Sequence, residues 1–389
     1  MYRSLLITFI ACIILVTTAN SQNWVKLRDI PVGLSFPVVV ELNKEIHVIG
    51  GGATGGATDI HLRYKPTTDT WDTLAPVPYK AQQPSGVVLN GKIHYFGGGY
   101  PNSGKPLSSH YAYDPASNTW TQAAALPIAR VIMRAAVLNG KLYALSGQPD
   151  KARMDEYNPQ SNTWTKKNDL PDNNFWYSAI VVLRNEMYRF AGGGFRTPMN
   201  FMHKYNSATD SWENIGILPF PLHAPAATVL GSLIYITGGF FEKNLTDAAA
   251  YNPVDQSFSA IPLLPIGRSY HEMVTIDSCI YSVGGNDSLS TSLIKYCVQG
   301  TVDVYDAQHS TILTVFPSIT SSDITIENIK QVPYTLHLYD IAGVELVHHS
   351  SSSSVSTLSL QHLPEGMYIY RMYRSDTNTP SIGKITIVR

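Results

Sequence analysis

"VVLNGKIHYFGGG", residues 87–99, holds two apolar runs around Asn90-Gly91 and ends in a glycine triplet. Asn-Gly suits the left-handed backbone of a two-residue hairpin turn, so the stretch reads as two antiparallel strands. The glycines close the second strand, where the missing Cβ permits positive φ and close approach of a neighbouring backbone. Near-copies recur. Glycine pairs begin at Gly50, Gly97, Gly192, Gly238 and Gly284, with a degenerate copy at Ser146-Gly147, in steps of 47, 49, 46, 46 and 46 residues. After each of the first five comes a Tyr with an aromatic residue seven positions on: Tyr64 and Trp71, Tyr113 and Trp120, Tyr157 and Trp164, Tyr205 and Trp212, Tyr251 and Phe258. "YAYDPASNTW" (111–120) supplies a third strand, an Asp-Pro turn, and the Trp that opens a fourth.

A unit of four short strands at a period of about 40 to 50 residues marks a β-propeller, whose blades bury their faces only by packing around a ring. The glycine pair, the Tyr and the Trp, followed by "LP" and in places Arg ("LPIAR", "LPIGR"), resemble the Kelch repeat over residues 24 to 298. The pattern departs at Ser146, at Phe258 and at Tyr205-Asn206-Ser207, where other copies mostly have Tyr-x-Pro. The sixth unit has strands near "HEMVTID", "CIYSVGG" and "SLIKYCV" but Asp303 where the aromatic belongs. "NWVKLRDIP" at the other end is a lone fourth strand with Trp24 in the aromatic position. The expected fold is therefore all-β, a six-bladed propeller over 22–300 closed by an N-terminal strand.

After a linker at 301–309, residues 310–389 read as a small β-sandwich with a Ser350 to Ser354 run between strands. "VFPSITSSDITIE", "YTLHLYDIAGVELV", "LPEGMYIYRM" and "GKITIVR" resemble the C-terminal sorting domain of type IX secretion. Phe316-Pro317, Asp340, Gly343, Gly366 and Tyr368 stand on its motif positions, and Pro317-Ser318-Ile319 replaces the usual Pro-Asn-Pro. That resemblance implies dealings with the type IX machinery, export across an outer membrane, removal of the domain, and release or surface attachment. An immunoglobulin-like stalk is the other reading.

At the N-terminus Arg3 precedes an apolar run from Leu5 to Val16, with small Ala19 and Ser21 ahead of Gln22, which reads as a signal peptide over 1–21. Cys12 leaves a lipid-modified cysteine open. No other stretch is apolar enough to span a membrane. A net charge of -1 with mixed signs argues against nucleic acid or an anionic membrane as partner. Charged residues make up 15% of the chain against a usual share of about 25%, as in exported all-β proteins. Cys279 and Cys297 fall on adjacent strands, bonded or free. No cofactor fingerprint appears, and scattered histidines with no zinc spacing predict no metal cluster.

In a propeller the loops after the second strands and the connections between blades share one face. Aligning the units places Gln82, Gln83, Arg130, Arg134, Asn174, Trp176, His223, Arg268, Tyr270, His271 and Glu272 around the channel mouth, with Tyr100, Phe195, Arg196, Phe240 and Phe241 after the glycines. Arginines and aromatics facing one opening suit an acidic sugar or peptide, by bidentate charge-assisted bonds and ring stacking. The expectation is a surface or secreted module that binds a protein or glycan ligand. The alternative is a carbohydrate-active enzyme, since six-bladed Kelch proteins include sialic acid epimerases. Glu272, His271 and Arg268 are then the acid–base candidates. A copper-radical oxidase of the galactose oxidase kind is also similar at blade level. It needs a cysteine joined to a metal-bound tyrosine at the mouth, and both mature cysteines fall on strands.

Overall fold

A computed structural model describes residues 23–100, 103–172, 176–194, 196–285, 289–298, 313–316, 319–320, 322–328, 331–340, 344–375 and 381–387. The expected signal peptide with Cys12, the 301–309 linker, Asn174, Phe195, Pro317 and Gly343 lie outside them. The chain divides into two compact units after Asp303.

The first unit is a ring of six antiparallel blades, and every blade contributes its first strand to the axis. Val38–Leu42, Ser85–Leu89, Arg134–Leu138, Ala179–Leu183, Ala226–Leu230 and Glu272–Ile276 each pack against the next, and the sixth against the first. A blade has no core of its own. Each of six apolar clusters joins two neighbours: Val38, Val40 and Ile49 of blade 1 meet Ile93, Tyr95 and Tyr113 of blade 2, and so around the ring. The expected closure is present, because Val25–Lys26 pairs antiparallel with Leu293–Cys297 and completes the sixth blade.

The repeated residues act as staples between blades. Tyr64, Tyr113, Tyr157 and Tyr205 each donate a hydroxyl proton to the Asp or Asn five positions later (Asp69, Asn118, Asn162, Asp210), at 2.7 to 2.9 Å. Those acceptors sit at positive φ in the turn. They also accept a backbone N–H from the preceding blade's exit, as Asn118 does from Ala75. The indoles of Trp24, Trp71, Trp120 and Trp164 donate to carbonyls on the same exits, those of Pro262, Arg28, Ala75 and Ala124. The Phe258 ring has no N–H to donate; it contacts the Tyr251 ring and packs against the cluster between blades 4 and 5. Gly97 shows why the glycines recur: at φ +64°, a Cβ there would lie 2.1 Å from Met133 Cε and 2.8 Å from the Arg130 carbonyl. Blade 4 departs from the regular size, with outer strands Thr197–Asn206 and Ser211–Leu222 and two register shifts between them. Cys279 and Cys297 lie opposite each other on the sixth blade and are joined as a disulfide.

The second unit is a β-sandwich. Leu313–Phe316, Asp323–Asn328 and Val355–Ser359 form one sheet; Ile319–Thr320, Ser381–Ile387, Gly366–Arg374, Tyr334–Tyr339 and Glu345–Ser351 form the other. Ile324 and Ile326 of the first meet Leu336, Leu338, Tyr368 and Met372 of the second. The serine run begins inside strand Glu345–Ser351, so it is not wholly a connection.

Candidate functional site

Antiparallel strands alternate in direction, so the second-to-third connections and the passages between blades emerge at one end of the ring. Backbone bridges lace them together, as at Ser35 and Gly52, Gln82 and Gly99, Val131 and Gln148, His223 and Phe240. The residue two positions before each first strand has positive φ in all six blades: Phe36, Gln83, Ile132, Tyr177, Ala224 and Tyr270, between 49° and 63°. None is glycine. Four of these side chains, those of Phe36, Gln83, Tyr177 and Tyr270, contact one another across the mouth.

The rings of Phe36, Tyr177 and Tyr270 form the cap, with edge contacts of 5.1 Å between Phe36 and Tyr270 and 4.8 Å between Tyr177 and Tyr270. Gln83 Nε2 donates to the Tyr177 hydroxyl at 2.8 Å. His223 holds Tyr270 in place: its Nδ1 lies 2.7 Å from the Gly193 carbonyl, which fixes the proton there, and Nε2 accepts from the Tyr270 hydroxyl at 2.6 Å. Burial lowers the His223 pKa, which keeps Nε2 an acceptor. Below the cap Arg134 Nη1 meets Glu272 Oε1 at 2.6 Å, joining blades on opposite sides of the ring, while Arg134 Nε donates to the Ser178 carbonyl. The space left is small. A cavity of about 30 Å³ lies among Phe36, Gln83, Tyr177, Tyr270 and Glu272, and one of about 80 Å³ among the first strands. The first holds roughly one water, against the several hundred Å³ of a usual ligand pocket.

Several expected lining residues are placed elsewhere. Arg130 is wholly enclosed and faces the body of blade 3: it donates to the Ser146 and Arg153 carbonyls and pairs with Asp155 at 2.5 Å. Arg268, 4% exposed, repeats this in blade 6, donating to the Gly284 carbonyl and Ser292 Oγ. Burial lowers both guanidinium pKa values to about 10. His271 is enclosed against Thr237 Oγ1 and its pKa is pushed down by desolvation, so it is not at the opening. In all three the buried partner lies in the blade body: carbonyls at the ends of the second strands and of neighbouring loops for the two arginines, and Thr237 on a second strand for His271. Arg134, Glu272, Gln83 and Tyr270 do come together, and Gln82 bonds through its backbone. On the rim Tyr100, Phe241 and Arg196 are exposed, Phe240 is half-buried, and Lys151 Nζ sits 4.8 Å over the half-buried Trp176 ring.

Sequence reading missed Phe36 and Tyr177, which lie 14 and 15 positions before their glycine pairs; the extra length of blade 4 shifts that offset by one. It also missed Arg189, enclosed and paired with Asp172 at 2.8 Å.

Residues 124–285 match the KLHDC2/KLHL20/DRC7 Kelch-repeats domain, 82–127 the Kelch motif, and 314–387 the secretion system C-terminal sorting domain. Curated relatives include Kelch-like protein 36 of Bos taurus, 28% identical over 28% of this chain and 18% of its own length. Another is alpha-scruin of Limulus polyphemus, 27% identical over 25% of this chain and 12% of its own. A Kelch domain-containing protein of Sulfurisphaera tokodaii is 30% identical over 25% of this chain and 14% of its own. The chain thus spans less than a fifth of these relatives. Among solved structures, "Structure of YjhT" superposes with a TM-score of 0.61 at 14% identity, covering 71% of this chain and 98% of that one, which is a likeness of fold.

Proposed function

We propose that this chain, a six-bladed Kelch-repeat propeller followed by a type IX sorting domain, is exported and binds a protein or glycan ligand on the face that carries its second-to-third loops. The observation that carries the reading is a rim of exposed aromatics, Tyr100 at 49% and Phe241 at 39%, around a centre already closed by its own rings. A partner can stack on such a rim without entering the channel. Arg196 adds a forked cation for an acidic group.

Screening the mature chain against glycans and extracellular proteins tests this. A ligand found in the screen should lose affinity about tenfold on Tyr100→Ala or Phe241→Ala, as for one well-packed interface aromatic, with no change in melting temperature. Full affinity in both variants would place the ligand elsewhere. Acid–base chemistry on a sugar is the second reading. It is favoured by one feature: Glu272 is a carboxylate at the axis, sharing a cavity with the Tyr177 and Tyr270 rings. It requires the cap to open, and ring-proton exchange that survives Glu272→Gln would eliminate it.

Export rests on the sorting domain. Removing residues 310–389 should leave a folded propeller inside the outer membrane, and its normal appearance outside the cell would overturn that role.

A further inference from the structure

We propose that the sorting domain binds one divalent transition-metal ion, of the zinc, nickel or copper(II) class, through His337, Glu345 and His348. No sequence spacing announces this set; the hairpin register makes it. His337 on strand Tyr334–Tyr339 lies directly opposite His348 on strand Glu345–Ser351. The register then shifts. Leu338 pairs with Val347 but Tyr339 pairs with Glu345, so Leu346 is an extra residue on its strand. In a regular strand Glu345 and His348, three apart, would point to opposite faces. The bulge turns Glu345 onto the histidines' side, as bulges re-aim side chains at functional positions.

The donor atoms of all three lie within 4.8 Å of one another, with His337 Nδ1 3.0 Å from Glu345 Oε1 and the two imidazole centroids 4.7 Å apart. Small rotations of partly exposed side chains are enough to close them around one ion. Two imidazoles and a carboxylate select zinc-like ions over calcium or magnesium, which favour all-oxygen sets, and leave an open position for water. Packing limits the His337 ring: Tyr373 meets it edge-on at 5.5 Å and Tyr339 stacks at 6.3 Å. The neighbouring cation, Arg371, lies over the Tyr339 ring, and the Glu345 charge offsets it. Glu345–Ser351 is the edge strand of its sheet, so a bound ion would pin that edge to its neighbour.

The test is calorimetric titration of residues 22–389, with the sorting domain retained and no polyhistidine tag, with zinc chloride. One equivalent should bind, with affinity reduced about tenfold or more in His348→Ala and in Glu345→Gln, since even second-sphere changes cost that much. Zinc should raise the melting temperature of the wild type but not of the variants, whose metal-free melting should match the wild type. Absence of zinc binding by the wild type overturns the proposal. So does a titration unchanged in both variants, which would assign the ion to other histidines.

Discussion

Asp155→Ala is expected to cost the propeller about 3 to 5 kcal/mol, because it removes the one carboxylate in direct contact with an enclosed guanidinium and leaves only the weaker, more distant charge of Asp150. Arg130 and Asp155 are both fully enclosed, and Arg153, 12% exposed, shares the carboxylate through Nε at 2.8 Å. Without Asp155 two arginines face each other in a buried site, and Arg130 retains only carbonyl acceptors. Arg130→Met is the informative partner: it removes the enclosed charge, keeps the aliphatic stem, and leaves Asp155 paired with Arg153. Its cost should be clearly smaller, since apolar replacement of a buried charge is far milder than orphaning its partner. Urea unfolding of both variants measures the order. Equal losses, or a larger loss for Arg130→Met, would mean that the pair does not act as an enclosed charge pair. Neither change should alter affinity for a rim ligand in the folded fraction, because Arg130 does not reach the mouth.

Arg130 also marks where sequence reading stops. The repeat was legible because its signals are local: a turn needing Asn-Gly, a strand end where Gly97 admits no Cβ, a Tyr whose hydroxyl reaches an acceptor five residues on. Blade count and closure followed from Trp24 and the missing aromatic after Tyr296. Alignment set Arg130 and Arg268 in register correctly, but the direction expected of them, toward the opening, was wrong, since both turn into the blade. Whether a linker residue faces the axis or the blade depends on the positive-φ residue near it, and Phe36, Ile132 and Tyr177 carry no glycine to announce that conformation. Glu272 and Arg134 were both legible as mouth residues, while their pairing across the ring depends on blades 138 residues apart. The metal-ligand set in the sandwich was hidden in the same way, since a single bulge at Leu346 decides the side on which Glu345 stands.

Acidification from pH 7.5 to 5 is expected to destabilise the propeller by several kcal/mol through histidines held neutral inside it. His47 Nδ1 lies 2.8 Å from His61 Nε2 in blade 1, and His94 repeats this with His110 in blade 2. The second ring of each pair hands its Nδ1 proton to a backbone carbonyl, Ala75 or Ala124. Each chain of bonds needs the second ring to accept at Nε2, so His61 and His110 are neutral, and burial keeps the donating rings of His47 and His94 neutral as well. Desolvation enforces this, pushing His47 and His110 down to about 4 and His61 and His94 to about 3. Unfolded histidine titrates near 6.5, so below that pH the unfolded chain takes up protons that the folded chain refuses. Stability is therefore complete above 6.5 and falls with pH until the folded values are reached. At pH 5 all four remain neutral in the fold, and each costs about 2 kcal/mol whatever its folded value below 5. Carboxylates titrate mostly below this window, so histidine dominates it. Urea unfolding at pH 7.5, 6 and 5 gives the loss, most of it between pH 6 and 5, and His94→Asn with His110→Gln should reduce the total between pH 7.5 and 5 by about 2 kcal/mol for each histidine removed, whatever that variant loses at neutral pH. A wild type equally stable at pH 7.5 and 5, or a variant with an undiminished loss, would show that the pairs open and take up protons without unfolding the blades.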